Sequence, residues 1–316
     1  MSSPEKAIAF VGLGVMGYGM ARNMRERVGK ETTLVVCDLN QEAIDKFKAE
    51  SSEHGPIEIV KNGFEAIQKA NTLFTVMPSG DAVRSVYLDP ETGILAGAAA
   101  SGDQKKLLVE CGTIPQSVIT EVAEASQRVK NVDFIDAPIS GGPIGSNAGT
   151  LSIMVGAPQK LFDQVRPLLE YMGKSESIFH CGDVGTGTAF KIINNYVSLI
   201  SILSVSEAYN IASRMNLDLN VLTDLMNTSS AQCWVISKNN PIPGITPGGA
   251  ASRGYEGGFR LELAHKDLSL GTELAEMVGA RRDLHKVALA VFEEAKADPR
   301  YAGKDSRVLY KMLNED

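Results

Sequence analysis

The stretch AFKIINNYVSLISILSVSEA, residues 189–208, holds one lysine in a run that is otherwise apolar or small and polar until Glu207. Lysine is almost never fully buried without a partner. Lys191 therefore either reaches solvent or meets something fixed and polar. From Thr188 to Met215 no glycine or proline interrupts the chain. That predicts one helix of about 28 residues, near 42 Å long at about 1.5 Å per residue. Lys191, Asn194, Asn195, Ser198 and Ser201 recur at offsets of three and four and form one polar stripe on it. Lys191 and Asn195 are i, i+4 partners whose side chains can converge. Phe190, Ile192, Ile193, Tyr196 and Val197 are expected to desolvate the amine and lower its pKa. Such an amine can exchange a proton at working pH, which is general acid/base chemistry. The plain alternative is a helix lysine whose stem lies along apolar surface and whose head stays wet.

A second constellation lies near the N-terminus. Residues 7–11, AIAFV, read as a buried parallel strand, followed by GLGVMG and a helical stretch, MARNMRER. Strand, glycine motif and helix in that order suit a dinucleotide phosphate. Gly12 permits the tight turn, Gly14 lets the backbone approach a pyrophosphate, and Gly17 allows close helix–strand packing. The helix N-terminus offers free N–H groups to the phosphates. The next strand, TTLVVCD, ends at Asp38, 21 residues after Gly17. A carboxylate there accepts from ribose hydroxyls and repels a 2′-phosphate. Leu39 and Asn40 bring no arginine, so the expected cofactor is NAD rather than NADP.

Further strands are expected at 71–78, 106–113, 132–138, 150–156 and 177–182, with helical stretches between the early ones. This predicts an α/β Rossmann domain with a parallel, doubly wound sheet. Ligands bind beyond the carboxyl ends of such strands. The loops beginning at Met77, Gly112 and Pro138 should then line one site. The segment 137–150, APISGGPIGSNAGT, reads as a glycine-rich loop in which Gly141 and Gly142 permit φ > 0 and Ser140 adds a hydroxyl. Such a loop can form an anion-binding nest or be merely flexible. After about Gly187 the β pattern stops, and an all-α domain follows, joined by the long interdomain helix. Further helices are expected at 206–215, 220–228, 261–279 and 283–297. The Gly/Pro-rich segment 239–259 is long for a simple connection. Lys266 and Asp267 taken alone read as solvated charges on neighbouring faces. The domains are placed at 1–184 and 185–316.

Composition excludes several classes. The chain has 316 residues, 44% hydrophobic and 22% charged, with net charge −7. That is ample for about two domains. There is no Lys/Arg-rich run, which argues against nucleic acid. Four cysteines and four histidines show neither CxxC nor HxxxH spacing, so reduced, mostly buried thiols and no metal are expected. No stretch is expected to span a bilayer, because the 190–206 run carries lysine, asparagines and serines. The start, MSSPEK, passes at once into an apolar strand with no signal or transit pattern. A soluble, cytoplasmic protein is expected, with the mitochondrial matrix as the alternative.

The stretches FVGLGVMG, DAPISGG, GTLSIMVG, GTGTAFKIINN and GGFRLELAHKDLSL resemble the β-hydroxyacid dehydrogenases from about residue 7 onward. SSAQCW and NPIPG, within 229–244, are similar to the branch that acts on 3-hydroxyisobutyrate. The resemblance implies NAD-dependent oxidation of (S)-3-hydroxyisobutyrate to methylmalonate semialdehyde, a step of valine breakdown. It implies Lys191 as general acid/base, with Asn195 orienting substrate. It implies that Ser140, Gly141 and Gly142 bind the substrate carboxylate. Gly12, Leu13, Gly14, Val15, Met16, Gly17 and Asp38 would hold NAD. Met77, Pro78, Ala82 and Thr113 would lie along it, with Lys266 and Asp267 near nicotinamide and substrate. Homodimers or homotetramers are also implied.

Two departures stand out. Val15 stands where the family commonly has Asn, and ECGT (110–113) replaces an acidic-Ser-Ser/Thr-Thr pattern, so a hydroxyl is missing at Cys111 and Gly112. Other short β-hydroxyacids remain alternative substrates: tartronate semialdehyde, serine, glycerate and 4-hydroxybutyrate. A non-catalytic NAD-binding module is the alternative of another class.

Overall fold

The computed structural model describes residues 6–315. Residues 1–5, on which part of the targeting expectation falls, and residue 316 lie outside the described residues. The chain divides into two compact units, Met1–Lys191 and Ile192–Asp316.

The first unit is built on β1 (Ala7–Val11), β2 (Thr33–Cys37), β3 (Ile57–Ile59), β4 (Thr72–Thr75), β5 (Lys106–Glu110), β6 (Val132–Asp136), β7 (Ile139–Ser140), β8 (Leu151–Gly156) and β9 (Gly173–Gly182). Their order is β3-β2-β1-β4-β5-β6-β8-β7, with β9 paired to β8. The six strands from β3 to β6 are mutually parallel. In β1, Ile8 and Phe10 enter one apolar cluster with Leu34, Val36 and Phe74. Ala7, Ala9 and Val11 enter another with Val35, Leu73 and Leu108. The sheet is therefore covered on both faces, as a run of apolar strands requires. Strand order reverses between β1 and β4, which puts the crevice for a ligand at the carboxyl end of β1.

The far edge departs from the expected parallel pattern. β8 runs antiparallel to both β6 and β7 and parallel to β9. Pro138 breaks the line between β6 and β7, and the chain returns beside both. Segment 137–150 is also not a loop throughout. It forms β7 and a short helix, Gly142–Ala148, closed by Gly149 in the left-handed region. Its small residues serve packing against the helix Gly17–Arg27. A Cβ on Gly19 would lie 2.6 Å from Ser146 Oγ, and one on Gly149 would lie 2.6 Å from Asn23 Oδ1. Asn23 Nδ2 donates to the carbonyl of Ser146 at 2.9 Å.

The long helix spans Thr186–Arg214, so residues 206–214 belong to it rather than forming a helix of their own. By length and composition it is long and apolar enough to cross a membrane, which corrects the expectation drawn from its polar residues. Its isoleucines, leucines and valines outweigh them in the average. Of its most apolar window, 44% is buried inside the protein, and core helices of this kind meet the same length criterion.

The second unit contains the rest of that helix with Leu219–Thr228, Trp234–Lys238, Leu261–Met277, Asp283–Ala297 and Leu309–Glu315. Leu199, Tyr209, Leu261, Leu268, Phe292 and Leu309 share its core. The Gly/Pro-rich segment 239–259 is tied down from within. Asn240 Nδ2 donates to Tyr209 Oη at 2.7 Å, and Tyr255 Oη donates to the carbonyl of Pro241 at 3.0 Å. Phe259 N–H donates to Asp305 at 2.6 Å, and Arg307 pairs with the same carboxylate at 2.8 Å.

The tightest packing constraint in the first unit is at Gly17, where a Cβ would lie 2.0 Å from the carbonyl oxygen of Gly12. Gly17→Ala is expected to lower stability by about 3 kcal/mol through overpacking. Urea denaturation of the two proteins checks this.

Candidate active site

At the end of β1 the chain turns through Gly12, at φ +102°. A Cβ there would meet the carbonyl oxygen of Val76 at 2.7 Å and Met77 Cε at 2.9 Å. Gly14 is different: nothing lies within 4 Å of where its Cβ would be. The backbone there is open to an approaching group. Leu13 is buried, Met16 is half-buried, and Val15 is 72% exposed.

Asp38 stands directly after β2. Its Oδ2 accepts the Leu13 N–H at 2.5 Å, and its Oδ1 accepts the Asn40 N–H at 2.7 Å. The Gly12 N–H meanwhile donates to the carbonyl of Cys37 at 2.9 Å. The carboxylate is thus locked beside the glycine turn, and each oxygen keeps lone-pair capacity for a ribose hydroxyl. Open backbone at Gly14 and a fixed acceptor at Asp38 fit a dinucleotide. Leu39 is fully exposed, and no arginine follows to meet a 2′-phosphate.

Met77 and Pro78 follow β4, and Thr113 follows β5. Ala82 lies in the first turn of the helix Gly80–Leu88, where its N–H donates to the Ser79 side chain at 3.2 Å. Ser140 ends β7 and is half-buried; Gly141 and Gly142 follow with φ of +142° and +64°. Ser146 Oγ donates to the carbonyl of Met16 at 2.5 Å, so this segment and the glycine turn are joined.

On the long helix, Lys191 is 6% exposed and Asn195 is 7% exposed. The polar stripe is not uniform, because Asn194 is exposed. Nor do the expected apolar neighbours surround the lysine. Phe190, Ile193 and Val197 are 56%, 56% and 58% exposed; they occupy another face. Ile192 is buried and Tyr196 half-buried. In the second unit, Asn195 Nδ2 donates to Asp267 Oδ2 at 2.6 Å. Lys266 Nζ lies 3.2 Å from Asp267 Oδ1. Asp267 is 3% exposed, so this pair is not two solvated charges. The aspartate is a buried acceptor that fixes Asn195.

Two further carboxylates in the first unit are sealed from water and escaped the sequence reading. Asp136, at the end of β6, accepts from the Gly185 N–H and the Thr188 N–H, both at 2.6 Å. It thereby fixes where the long helix begins, one turn before Lys191. Burial pushes its pKa up, and these N–H donors oppose the rise. Glu110, at the end of β5, accepts from the Gly112 N–H at 2.7 Å and from the Thr75 hydroxyl. The Met77 N–H also donates to it. Tyr87 Oη lies 2.6 Å from the same Thr75 hydroxyl. Burial, the largest cause, pushes Glu110 up to about 7 against those donors. The available signal was an acidic residue closing each of two apolar strands, KLLVE and VDFID. Cys37 and Cys111 are buried, as expected, whereas Cys181 and Cys233 are only half-buried.

A mainly parallel sheet with a glycine turn at its switch point, followed by a helical unit, defines a dinucleotide-binding protein of two units. A family model for the NAD-binding domain of 6-phosphogluconate dehydrogenase matches residues 7–183. One described as the NAD-binding domain of NADP-dependent 3-hydroxyisobutyrate dehydrogenase matches 185–313. The 3-hydroxyisobutyrate dehydrogenase of Pseudomonas aeruginosa is 36% identical, over 96% of this chain and 97% of that one. The NAD-dependent L-serine dehydrogenase of the same organism is 33% identical, over 98% of each. A structure of Mycobacterium tuberculosis 3-hydroxyisobutyrate dehydrogenase with L-serine superimposes with a TM-score of 0.82 at 29% identity, covering 98% of this chain and 99% of that one. The chain belongs to the 3-hydroxyisobutyrate dehydrogenase family of NAD(P)-binding β-hydroxyacid dehydrogenases.

Two outcomes follow from the buried carboxylates. Asp136→Asn turns an amide N–H₂ toward one of two backbone donors. It should cost about 1–3 kcal/mol and speed hydrogen exchange at the Gly185 and Thr188 amides. Glu110 binds its proton more tightly folded, near pH 7, than unfolded, near 4.5. Its contribution to stability is therefore full below pH 4.5 and is lost as pH rises through 7, a span of about 3 kcal/mol. Denaturation from pH 4.5 to 8 should show that slope in the native chain and its loss in Glu110→Gln.

Proposed function

We propose that this chain oxidises (S)-3-hydroxyisobutyrate to methylmalonate semialdehyde with NAD, using Lys191 as general acid/base. The observation that carries the reading is a lysine and an asparagine one turn apart on one helix, both withdrawn from water. Burying an ammonium group is costly, and a solvated helix face has no need of it. The Asp267 contact supports an orienting role for Asn195.

NAD, when bound, supplies the hydride acceptor. Lys191 Nζ takes the proton of the substrate hydroxyl and returns it to the carbonyl oxygen in the reverse direction. Asn195 holds that oxygen. Ser140 Oγ and the N–H groups of Gly141 and Gly142 receive the substrate carboxylate, a use to which left-handed turns are suited. Gly12, Leu13, Gly14, Val15, Met16 and Gly17 hold the pyrophosphate. Met77, Pro78, Ala82 and Thr113 line the cofactor, with Lys266 and Asp267 toward nicotinamide and substrate. Asp38 selects NAD over NADP. Residues 1–184 are the NAD-binding Rossmann domain, and 185–316 the all-helical substrate and oligomerisation domain.

L-Serine is the second reading, favoured by the serine dehydrogenase relative and by the neighbour that holds L-serine. The two acids differ in one substituent, a methyl against an ammonium group. An ammonium needs a buried acceptor, whereas a methyl needs apolar contact.

Initial rates of NAD reduction with (S)-3-hydroxyisobutyrate, L-serine, D-glycerate and 4-hydroxybutyrate test the substrate. The highest kcat/KM is expected with the first; a clear preference for L-serine moves the enzyme to the second reading. Lys191→Ala should lower kcat by about 10²- to 10⁴-fold while NAD binding, measured by calorimetry, is retained. Undiminished turnover in that variant overturns the mechanism. NADP should support kcat/KM at least about 100-fold below that with NAD, and Asp38→Ala should narrow the gap.

A further inference from the structure

The loops after β4 and β5 meet at one carboxylate. Glu110 accepts the N–H of Gly112 at 2.7 Å and the N–H of Met77. Beneath it, the Thr75 hydroxyl donates its only proton to Glu110. Tyr87 Oη, 2.6 Å away, is left as donor to Thr75. Glu110, Thr75 and Tyr87 are all fully buried.

Gly112 owes its identity to this carboxylate together with the Met77 carbonyl. Its φ is not in the left-handed region, so no turn geometry demands glycine. Space does. A Cβ on residue 112 would lie 2.6 Å from Glu110 Oε1 and 2.7 Å from the carbonyl oxygen of Met77. Here the glutamate oxygen fills that space.

We propose that Glu110 and Gly112 are a matched pair that sets the shape of the cofactor-lining loops. Glu110 is a positioning residue that clamps the Met77 and Gly112 peptides together, and Gly112 is the vacancy its carboxylate requires. This rests on the reading that those loops line NAD. The pair predicts its own compensation. Aspartate is shorter by one methylene, so Glu110→Asp withdraws the carboxylate and removes one of the two close contacts a serine at 112 would make, leaving that with the Met77 carbonyl.

The test is a double-mutant cycle of Glu110→Asp, Gly112→Ser and the combination. NAD affinity is read by calorimetry at pH 8, and melting temperature is read on the same samples. Gly112→Ser alone should weaken NAD binding about tenfold or more through overpacking. Glu110→Asp alone should weaken it several-fold. The combination should bind NAD about threefold or more tighter than Gly112→Ser alone, a non-additivity that independent sites do not show. Native-like binding by Gly112→Ser, or a combination no better than its worse single variant, overturns the pairing.

If Gly112→Ser does not fold, recovery of folding in the combination supports the pair, and failure of both overturns it. Glu110→Gln then provides the second arm. It keeps the volume but cannot accept on both sides. The KM for NAD should rise about tenfold with kcat at saturating NAD within about twofold of the native value; an unchanged KM overturns the clamp. A native chain that binds no NAD would refute the functional reading instead. The cycle read by melting temperature would still decide whether the two residues are matched.

Discussion

A carboxylate sealed inside the first unit determines where the long helix begins. Asp136 receives the Gly185 and Thr188 N–H groups, which a helix start would otherwise leave without partners. The fit is close. A Cβ on Gly156 would lie 2.3 Å from one of its oxygens, and one on Gly187 would lie 3.0 Å from the other. Once the first turn is fixed, the helix repeat sets the direction of Lys191, three residues after Thr188. The sheet therefore acts on the lysine through one side chain at the end of β6.

The same device recurs at the neighbouring strand. Glu110 closes β5 as Asp136 closes β6, and the two end residues are paired across the strands. Each carboxylate takes backbone N–H groups from loops that leave the sheet at its carboxyl edge. Asp38 does this after β2, where it receives the Leu13 and Asn40 N–H groups. Asp267 holds Asn195 in the second unit by the same chemistry. Leu13, Met77 and Asn195, all proposed to touch cofactor or substrate, are thus held by acidic residues close to them in sequence or in space.

Local patterns were legible in the sequence, and distant ones were not. The glycine turn could be read because strand, Gly12, Gly14 and Gly17 succeed one another within the span of one turn. The long helix could be read because nothing between Thr188 and Met215 breaks it. Which face of it is buried could not, because Asn195 answers to Asp267, 72 residues later. Counting apolar neighbours placed Phe190, Ile193 and Val197 around Lys191, whereas all three are exposed. The small residues of 137–150 suggested a loop; they allow one helix to lie close against another. Asp136 and Glu110 drew no reading of their own, because solvent is the usual reason for a charge in such a stretch.

Burying a carboxylate is a poor way to gain stability, since desolvation offsets much of what its partners return. Apolar packing would hold these elements at least as firmly, but it is non-directional and cannot fix the orientation of a peptide N–H. A charged acceptor between two N–H donors can, because its hydrogen bonds are short and strong. Placing such acceptors at the carboxyl ends of β2, β5 and β6 orders loops that would otherwise be the most mobile part of the unit. A hydride must move between two carbons held at one separation and angle, which a loosely held loop does not provide. The buried carboxylates are therefore better explained by the geometry that dinucleotide chemistry requires than by the stability of the fold.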